Sequence, residues 1–132
     1  MTKEEIPYIY SGRFNAAFLD EMYSDDIQTA AEIFESSLNH LVTVTDEADE
    51  IFRIGDVENL RRLFHKVKPL YGYTGLLKVQ AMVQHFEDSC SDVSSIEELK
   101  TEYSELALLL DESVNIVRKE LIRMKMYLNV RA

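Results

Sequence analysis

Apolar residues along this chain recur every three or four positions, which is the spacing of one face of an α-helix. Five segments carry this pattern, and none shows the strict apolar and polar alternation of a half-buried strand. We therefore predict an all-α protein. The helices are expected over roughly residues 15–23, from 27 to a stop at Gly55, and over 57–71, 76–90 and 96–128.

Helix start and stop signals divide the long segments from one another. Gly55 suits the left-handed position after a helix, and Asp56 beside it can cap the next one. Ser95 with Glu98 forms a capping-box pattern before the last helix. Four amphipathic helices joined by short loops favour an antiparallel four-helix bundle with up-down topology, to which the short N-terminal helix is an addition. We expect residues 1–132 to form a single domain.

Composition narrows the class of protein. Of the 132 residues, 46% are hydrophobic and 29% charged, with only four glycines and two prolines, a balance typical of folded helical proteins. The net charge of −10 argues against sequence-independent binding to nucleic acid, which requires a basic surface. The charge is uneven, since residues 53–78 carry six basic side chains against two acidic ones.

The sequence favours a cytoplasmic protein. Its one cysteine, Cys90, excludes an internal disulfide and falls on an apolar face, where a core position is expected. The N-terminus lacks the basic and then apolar pattern of a signal peptide. No apolar run approaches the roughly 18 residues of a membrane span, so we expect no membrane partner.

Metal, cofactor and kinase chemistry find no support in the motifs. The Glu-x-x-His spacing of di-iron bundles is absent before His40, His65 and His85. A glycine-rich phosphate loop is also missing, which argues against a nucleotide-binding or kinase site. We expect no metal, no cofactor and no enzyme activity, and we interpret His40 and His85 as surface or packing residues.

His65 differs from the other histidines in its surroundings. If residues 57–71 are helical, the apolar stripe that contains Phe64 is buried, and His65 lies about 100° around the axis from Phe64, outside the stripe. The residues that follow on its own side are Lys68, Pro69 and Gly72. The histidine is therefore expected to face water, beside one cation and with no bulky neighbour.

Further positions extend this pattern along the chain. They are Lys68 and Gly75 after His65, the apolar residues Val79, Met82 and Val83, the pair Phe86-Glu87, and upstream Gly55-Asp56 and Leu60. The arrangement, with its motif over residues 65–75, resembles the signature of histidine-containing phosphotransfer (HPt) domains of multistep phosphorelays, over roughly residues 27–87. It departs from the family at Pro69, where glycine is usual. Because proline cannot donate the helical hydrogen bond to the His65 carbonyl, we predict a kink there.

The resemblance implies a role for each residue of the motif. Nε2 of His65 would take a phosphoryl group from an aspartyl phosphate on a receiver domain and pass it to another receiver. A neutral imidazole can attack phosphorus without an added base. Lys68, one turn along, would offset the charge on the phosphoryl oxygens. Either Glu87 or Gln84 on the next helix would hold the other ring nitrogen.

The implied partners are response-regulator receiver domains and a hybrid sensor histidine kinase. They would dock on a surface around His65 formed by Arg61, Arg62, Pro69, Gly72 and Gly75. The alternative function is a non-transferring adaptor or dimerisation module, in which Pro69 distorts the site and the histidine is vestigial.

Overall fold

The computed structural model describes residues 6–131, so the parts of the single-domain prediction that concern residues 1–5 and 132 lie outside the described residues. Within residues 6–131 the chain is helical and contains no strand. The all-α prediction is therefore confirmed. The elements are α1 (Ala16–Tyr23), α2 (Ile27–Ile54), α3 (Val57–Tyr73), α4 (Leu77–Asp92), a short 3₁₀ helix (Ile96–Leu99) and α5 (Lys100–Arg131).

Side-chain caps begin α2 and α3, the two helices that the turn at Gly55 and Asp56 connects. Asp26 accepts a hydrogen bond from the backbone N–H of Thr29 at the start of α2, at 3.0 Å. Asp56 does the same for the N–H of Asn59 in α3, also at 3.0 Å. Between them, Gly55 has a φ of 86°, the left-handed conformation that glycine adopts at little cost. The turn predicted at Gly55 and Asp56 is confirmed.

The later helices differ from their predicted bounds. α4 ends at Asp92, two residues beyond the predicted end, and a 3₁₀ turn over Ile96–Leu99 precedes α5. Met82, which the apolar pattern placed with Val79 and Val83, is exposed, because α4 buries a narrower stripe between its neighbours. None of the helices in residues 6–131 combines the length and the apolarity that crossing a bilayer requires.

An aromatic cluster joins the four longer helices. α3 packs against α2 and α4, and α5 packs against the same two helices. Phe64 of α3 meets Phe86 of α4 edge to face, with ring centroids 5.2 Å apart. Tyr103 of α5 lies 5.9 Å from Phe86 and stacks on Phe52 of α2 at 4.4 Å. Aromatic pairs at these distances add to the stability gained from burial, so the cluster fixes how the helices sit against one another.

The N-terminal segment is attached to α5 through a buried carboxylate. Glu120 accepts hydrogen bonds from the Tyr8 hydroxyl at 2.7 Å and from the backbone N–H of Ser11 at 3.1 Å. It also pairs with Arg123 at 2.7 Å. A buried charge needs several such partners to offset its desolvation. Residues 8–11, which precede α1, are thus part of the packed structure.

Gly75 forms the turn between α3 and α4 and lies against α1. Its φ is 71°, and a Cβ atom there would come within 2.6 to 2.9 Å of the Leu19 side chain. Its carbonyl accepts a hydrogen bond from the N–H of Asn15 at 3.0 Å. Both the backbone conformation and the available space therefore require glycine at this position.

We expect Gly75→Ala to lower the free energy of unfolding by about 2 kcal/mol, because alanine would be strained at positive φ and would clash with Leu19. Urea unfolding followed by circular dichroism measures this change. Gly12→Ala is the matched control, since a Cβ atom at Gly12 meets no atom within 4 Å. An equal loss of stability in both variants would contradict this explanation.

Candidate functional site

His65 projects from α3 into solvent. Its side chain is 67% exposed, whereas Phe64 beside it is completely buried. The amphipathic pattern of α3 thus places the imidazole on the outside while the helix remains anchored in the core. The predicted exposure of His65 is confirmed.

One ring nitrogen of His65 is held by a buried carboxylate. Nδ1 lies 2.8 Å from Oε1 and 3.2 Å from Oε2 of Glu87, whose side chain is only 8% exposed. An ionised carboxylate can only accept hydrogen bonds, so Nδ1 carries the proton and donates it. In the neutral ring, Nε2 then has a free electron pair. Of the two predicted candidates for this contact, Glu87 makes it.

The aromatic core explains why these two side chains meet although they are 22 residues apart. Phe64 and Phe86 immediately precede His65 and Glu87, and their edge-to-face contact sets the register between α3 and α4. The next residue on each helix is rotated by about 100° toward the outer edge of the interface. The imidazole and the carboxylate therefore come together at that edge.

Lys68 lies one turn after His65 and points toward the same carboxylate. Its ammonium donates to both Glu87 oxygens at 3.2 Å and also to Oε1 of Gln84 on α4. The side chain is 19% exposed, so the charge is close to the surface without extending freely into solvent. Glu87 thus joins a histidine and a lysine on one face of α3.

The environment of Glu87 favours its ionised form. Burial by itself would raise the pKa of the carboxyl group, but the hydrogen bonds from His65 and Lys68, together with the charge of Lys68, outweigh burial and hold the pKa below its ordinary value. The carboxylate is therefore ionised at neutral pH, as the assignment of the proton to Nδ1 requires.

The cations predicted for the docking surface are partly engaged within α3. Arg61 and Arg62 both pair with Glu58, at 2.6 and 3.3 Å. Arg61 is partly buried, whereas Arg62 is exposed. Arg62 and the exposed Pro69 therefore lie on the surface around His65, with Arg61 at its margin.

Gly72 and Gly75, which were predicted for the docking surface, are not exposed. Both are buried. A Cβ atom on Gly72 would come within 2.7 Å of the Gln80 amide, so that side chain would have to move. Gly75 forms the turn against Leu19. This turn connects α3, which carries His65, to α4, which carries Glu87.

α3 continues through Pro69 as a single helix. Pro69 has no N–H to donate to the carbonyl of His65. Nearby, the side-chain amide of Gln80 donates to the carbonyl of Lys68 at 3.4 Å, which adds a contact between α4 and this part of α3. Packing against α2 and α4 thus keeps the helix continuous past the proline.

Asp88 belongs to the site but was not predicted. It accepts a hydrogen bond from Nε2 of Gln84 at 2.9 Å. The signal was present in the sequence, since Gln84 and Asp88 are four residues apart on one helix face. Asp88 is linked to the site only through the contact between Gln84 and Lys68, which joins two different helices.

Comparison with protein-family models, curated proteins and solved structures finds no match to this chain. Within residues 6–131, no three histidine, cysteine, aspartate or glutamate side chains form a group able to hold a metal ion.

The other two histidines lack the surroundings of His65. His40 is exposed on α2. His85 is exposed on α4, with Nε2 3.6 Å from Glu102, a distance beyond a normal hydrogen bond. Of the three, His65 is the one that combines an exposed ring with a buried carboxylate partner.

We expect Glu87→Gln to lower the free energy of unfolding by about 1 to 2 kcal/mol at neutral pH, because Lys68 and His65 lose a charged acceptor. The pKa of Glu87 is lower in the folded chain than its ordinary value of 4.5. Its stabilisation is thus complete above pH 4.5 and disappears as the pH falls through the folded-state value. Urea unfolding from neutral pH to about pH 3 should show the two proteins converging in acid.

Asp92→Asn is the control for this titration, since it removes one negative charge from an exposed position on the same helix. It should have little effect at any pH. A difference between Glu87→Gln and the unmodified chain that stayed constant down to acid pH would contradict the assigned ionisation.

Proposed function

We propose that this chain is a histidine phosphotransfer protein of the HPt kind, in which His65 accepts a phosphoryl group from a receiver-domain aspartate and passes it to another receiver. The observation that carries the proposal is the contact between Nδ1 of the exposed His65 and the buried Glu87 carboxylate. In the neutral ring this contact puts the proton on Nδ1, so the electron pair that can attack phosphorus is the one on Nε2 of the exposed side chain.

The transfer step needs no further base. Nε2 attacks the phosphorus of the acyl phosphate, the bond from phosphorus to the aspartate oxygen breaks, and the receiver carboxylate is regenerated. The ring then carries phosphorus on Nε2 and a proton on Nδ1, and is positively charged. The Glu87 carboxylate, 2.8 Å from Nδ1, stabilises that charge. Return transfer to a second receiver reverses these bonds.

An antiparallel four-helix bundle with up-down topology is part of the proposal. Short turns connect α2 to α3 and α3 to α4, and α5 contacts both α4 and α2. This set of neighbours supports a closed bundle of α2 to α5, with α1 against α2 as the additional helix. Such a scaffold would hold the histidine on a rigid outer face.

Partner docking is proposed on the surface that surrounds His65. Arg62 and Pro69 are exposed there, and Arg61 lies at the margin. A positively charged surface suits receiver domains, whose aspartates form an acidic site, and would steer their approach. We place the chain with such receivers and a hybrid sensor histidine kinase in the cytoplasm, as a phosphocarrier without its own kinase or cofactor.

His65→Gln should abolish phosphoryl transfer to this chain without unfolding it, because glutamine lacks the nucleophilic nitrogen. The test is incubation with radiolabelled receiver domains phosphorylated on aspartate. The unmodified chain should acquire acid-labile, base-stable label, as phosphohistidine does. His85→Gln, which changes an exposed histidine on α4, should label normally.

Label that persisted in His65→Gln would overturn the assignment of the nucleophile. If a broad panel of receivers left no label on the unmodified chain, the result would favour the adaptor or dimerisation alternative.

Lys68→Ala should slow transfer by about tenfold or more, because one positive charge close to the phosphoryl oxygens is lost. Rapid-quench measurement of label on His65 gives the rate. Lys66→Ala removes the same charge from an exposed residue next to His65 and serves as the matched control. Equal rates for Lys68→Ala and Lys66→Ala would remove Lys68 from the mechanism.

A further inference from the structure

The Lys68 ammonium is bound on one side, toward α4. It donates to both oxygens of Glu87 at 3.2 Å and to the side-chain oxygen of Gln84. An ammonium group has three protons to donate. Its described acceptors, Gln84 and Glu87, are both on α4. In the proposed function the phosphoryl group would be attached to Nε2 of His65, and a contact between Lys68 and that group would compete with these three hydrogen bonds for the ammonium protons.

Gln84 is itself oriented by Asp88. The Gln84 amide nitrogen donates to Asp88 Oδ1 at 2.9 Å, which leaves the amide oxygen for Lys68. A carboxylate at this position selects one of the two orientations of the amide group, since the opposite orientation would place oxygen against oxygen. Asp88, Gln84 and Lys68 therefore form a directed chain of hydrogen bonds that ends at the ammonium.

The effect of Gln84 on Lys68 can be tested without removing a contact of His65, whereas the effect of Glu87 cannot. Glu87 contacts both His65 and Lys68, so its removal disturbs the nucleophile as well as the cation. Gln84 contacts Lys68 but makes no described bond to His65. A change at Gln84 thus removes contacts to Lys68 and Asp88 and leaves the described contact between His65 and Glu87 in place.

We propose that Gln84, oriented by Asp88, is a positioning residue that holds Lys68 against α4 while His65 is unloaded and thereby limits the rate of phosphoryl loading. The inference rests on the proposed function. A hydrogen bond to a charged group stabilises the state in which it forms, and this one must be exchanged for a contact with the phosphoryl oxygens. Lys68 is therefore the group that is restrained while His65 carries no phosphoryl group.

The test uses the full chain and phosphoramidate, a small phosphoryl donor that needs no receiver domain. The P–N bond of the donor breaks as the bond from Nε2 to phosphorus forms, and ammonia leaves. Loading of His65 is followed by ³¹P NMR, with His65→Gln as the blank. Gln84→Ala should load about three- to tenfold faster than the unmodified chain, because Lys68 is released more easily.

Dependence on Lys68 distinguishes positioning from a general structural effect. The double variant Gln84→Ala, Lys68→Ala should load at the rate of Lys68→Ala alone, as expected for residues that act through one another. Gln84→Glu should load more slowly than the unmodified chain, because a charged acceptor holds the ammonium more tightly.

Asp88→Ala should also accelerate loading, but by less than Gln84→Ala, because the Gln84 amide group then loses its fixed orientation. Asp92→Ala is the matched control, with the same loss of charge at an exposed position one turn further along α4. It should leave the rate unchanged. An effect of Asp92→Ala equal to that of Asp88→Ala would overturn the role of Asp88.

The outcomes separate this inference from the function on which it rests. If the unmodified chain takes no label on His65 from either phosphoramidate or the receiver domains, the proposed phosphotransfer fails and the inference fails with it. If His65 is labelled but Gln84→Ala loads at the same rate or more slowly, only the positioning role is overturned. An acceleration by Gln84→Ala that persists without Lys68 also overturns it.

Discussion

The buried carboxylate of Glu87 is the constraint around which the site is organised. Removing a carboxylate from water is costly unless donors replace the lost hydration. Glu87 is 8% exposed, and its donors come from α3, as a ring N–H of His65 and the ammonium of Lys68. The electrostatic requirement of one residue on α4 thus fixes the orientation of two residues on α3. It also determines which nitrogen of the imidazole remains available for chemistry.

This polar arrangement depends on the apolar layer beneath it. The contact between Phe64 and Phe86 sets the register of α3 against α4, and Tyr103 extends the layer to α5. Gly72 lies where α4 meets α3, and its nearest side chain on α4 is Gln80. α3 also continues through Pro69, one turn from the histidine, although proline cannot donate the helical hydrogen bond to the His65 carbonyl.

Charge is unevenly distributed along the chain. The chain as a whole is acidic, with a net charge of −10, yet residues 53–78 carry a local excess of basic side chains. Glu58 engages Arg61 and Arg62, which moderates that excess without removing it. A second buried carboxylate, Glu120, attaches the N-terminal segment to α5. Among the described residues, buried carboxylates thus serve two purposes: Glu120 attaches a segment to α5, and Glu87 orients His65.

The sequence by itself determined the helical class, the turn at Gly55 and Asp56, and the outward position of His65, because each follows from local periodicity or backbone preference. It also narrowed the partner of the imidazole to Glu87 or Gln84. Only the tertiary structure decided between them, because the choice depends on the register of α3 against α4. His65 and Glu87 are 22 residues apart, so local sequence patterns do not determine that register. Packing between helices likewise decided that Gly72 and Gly75 are buried and that Met82 is exposed. It also brought Asp88 into the site through its hydrogen bond with Gln84.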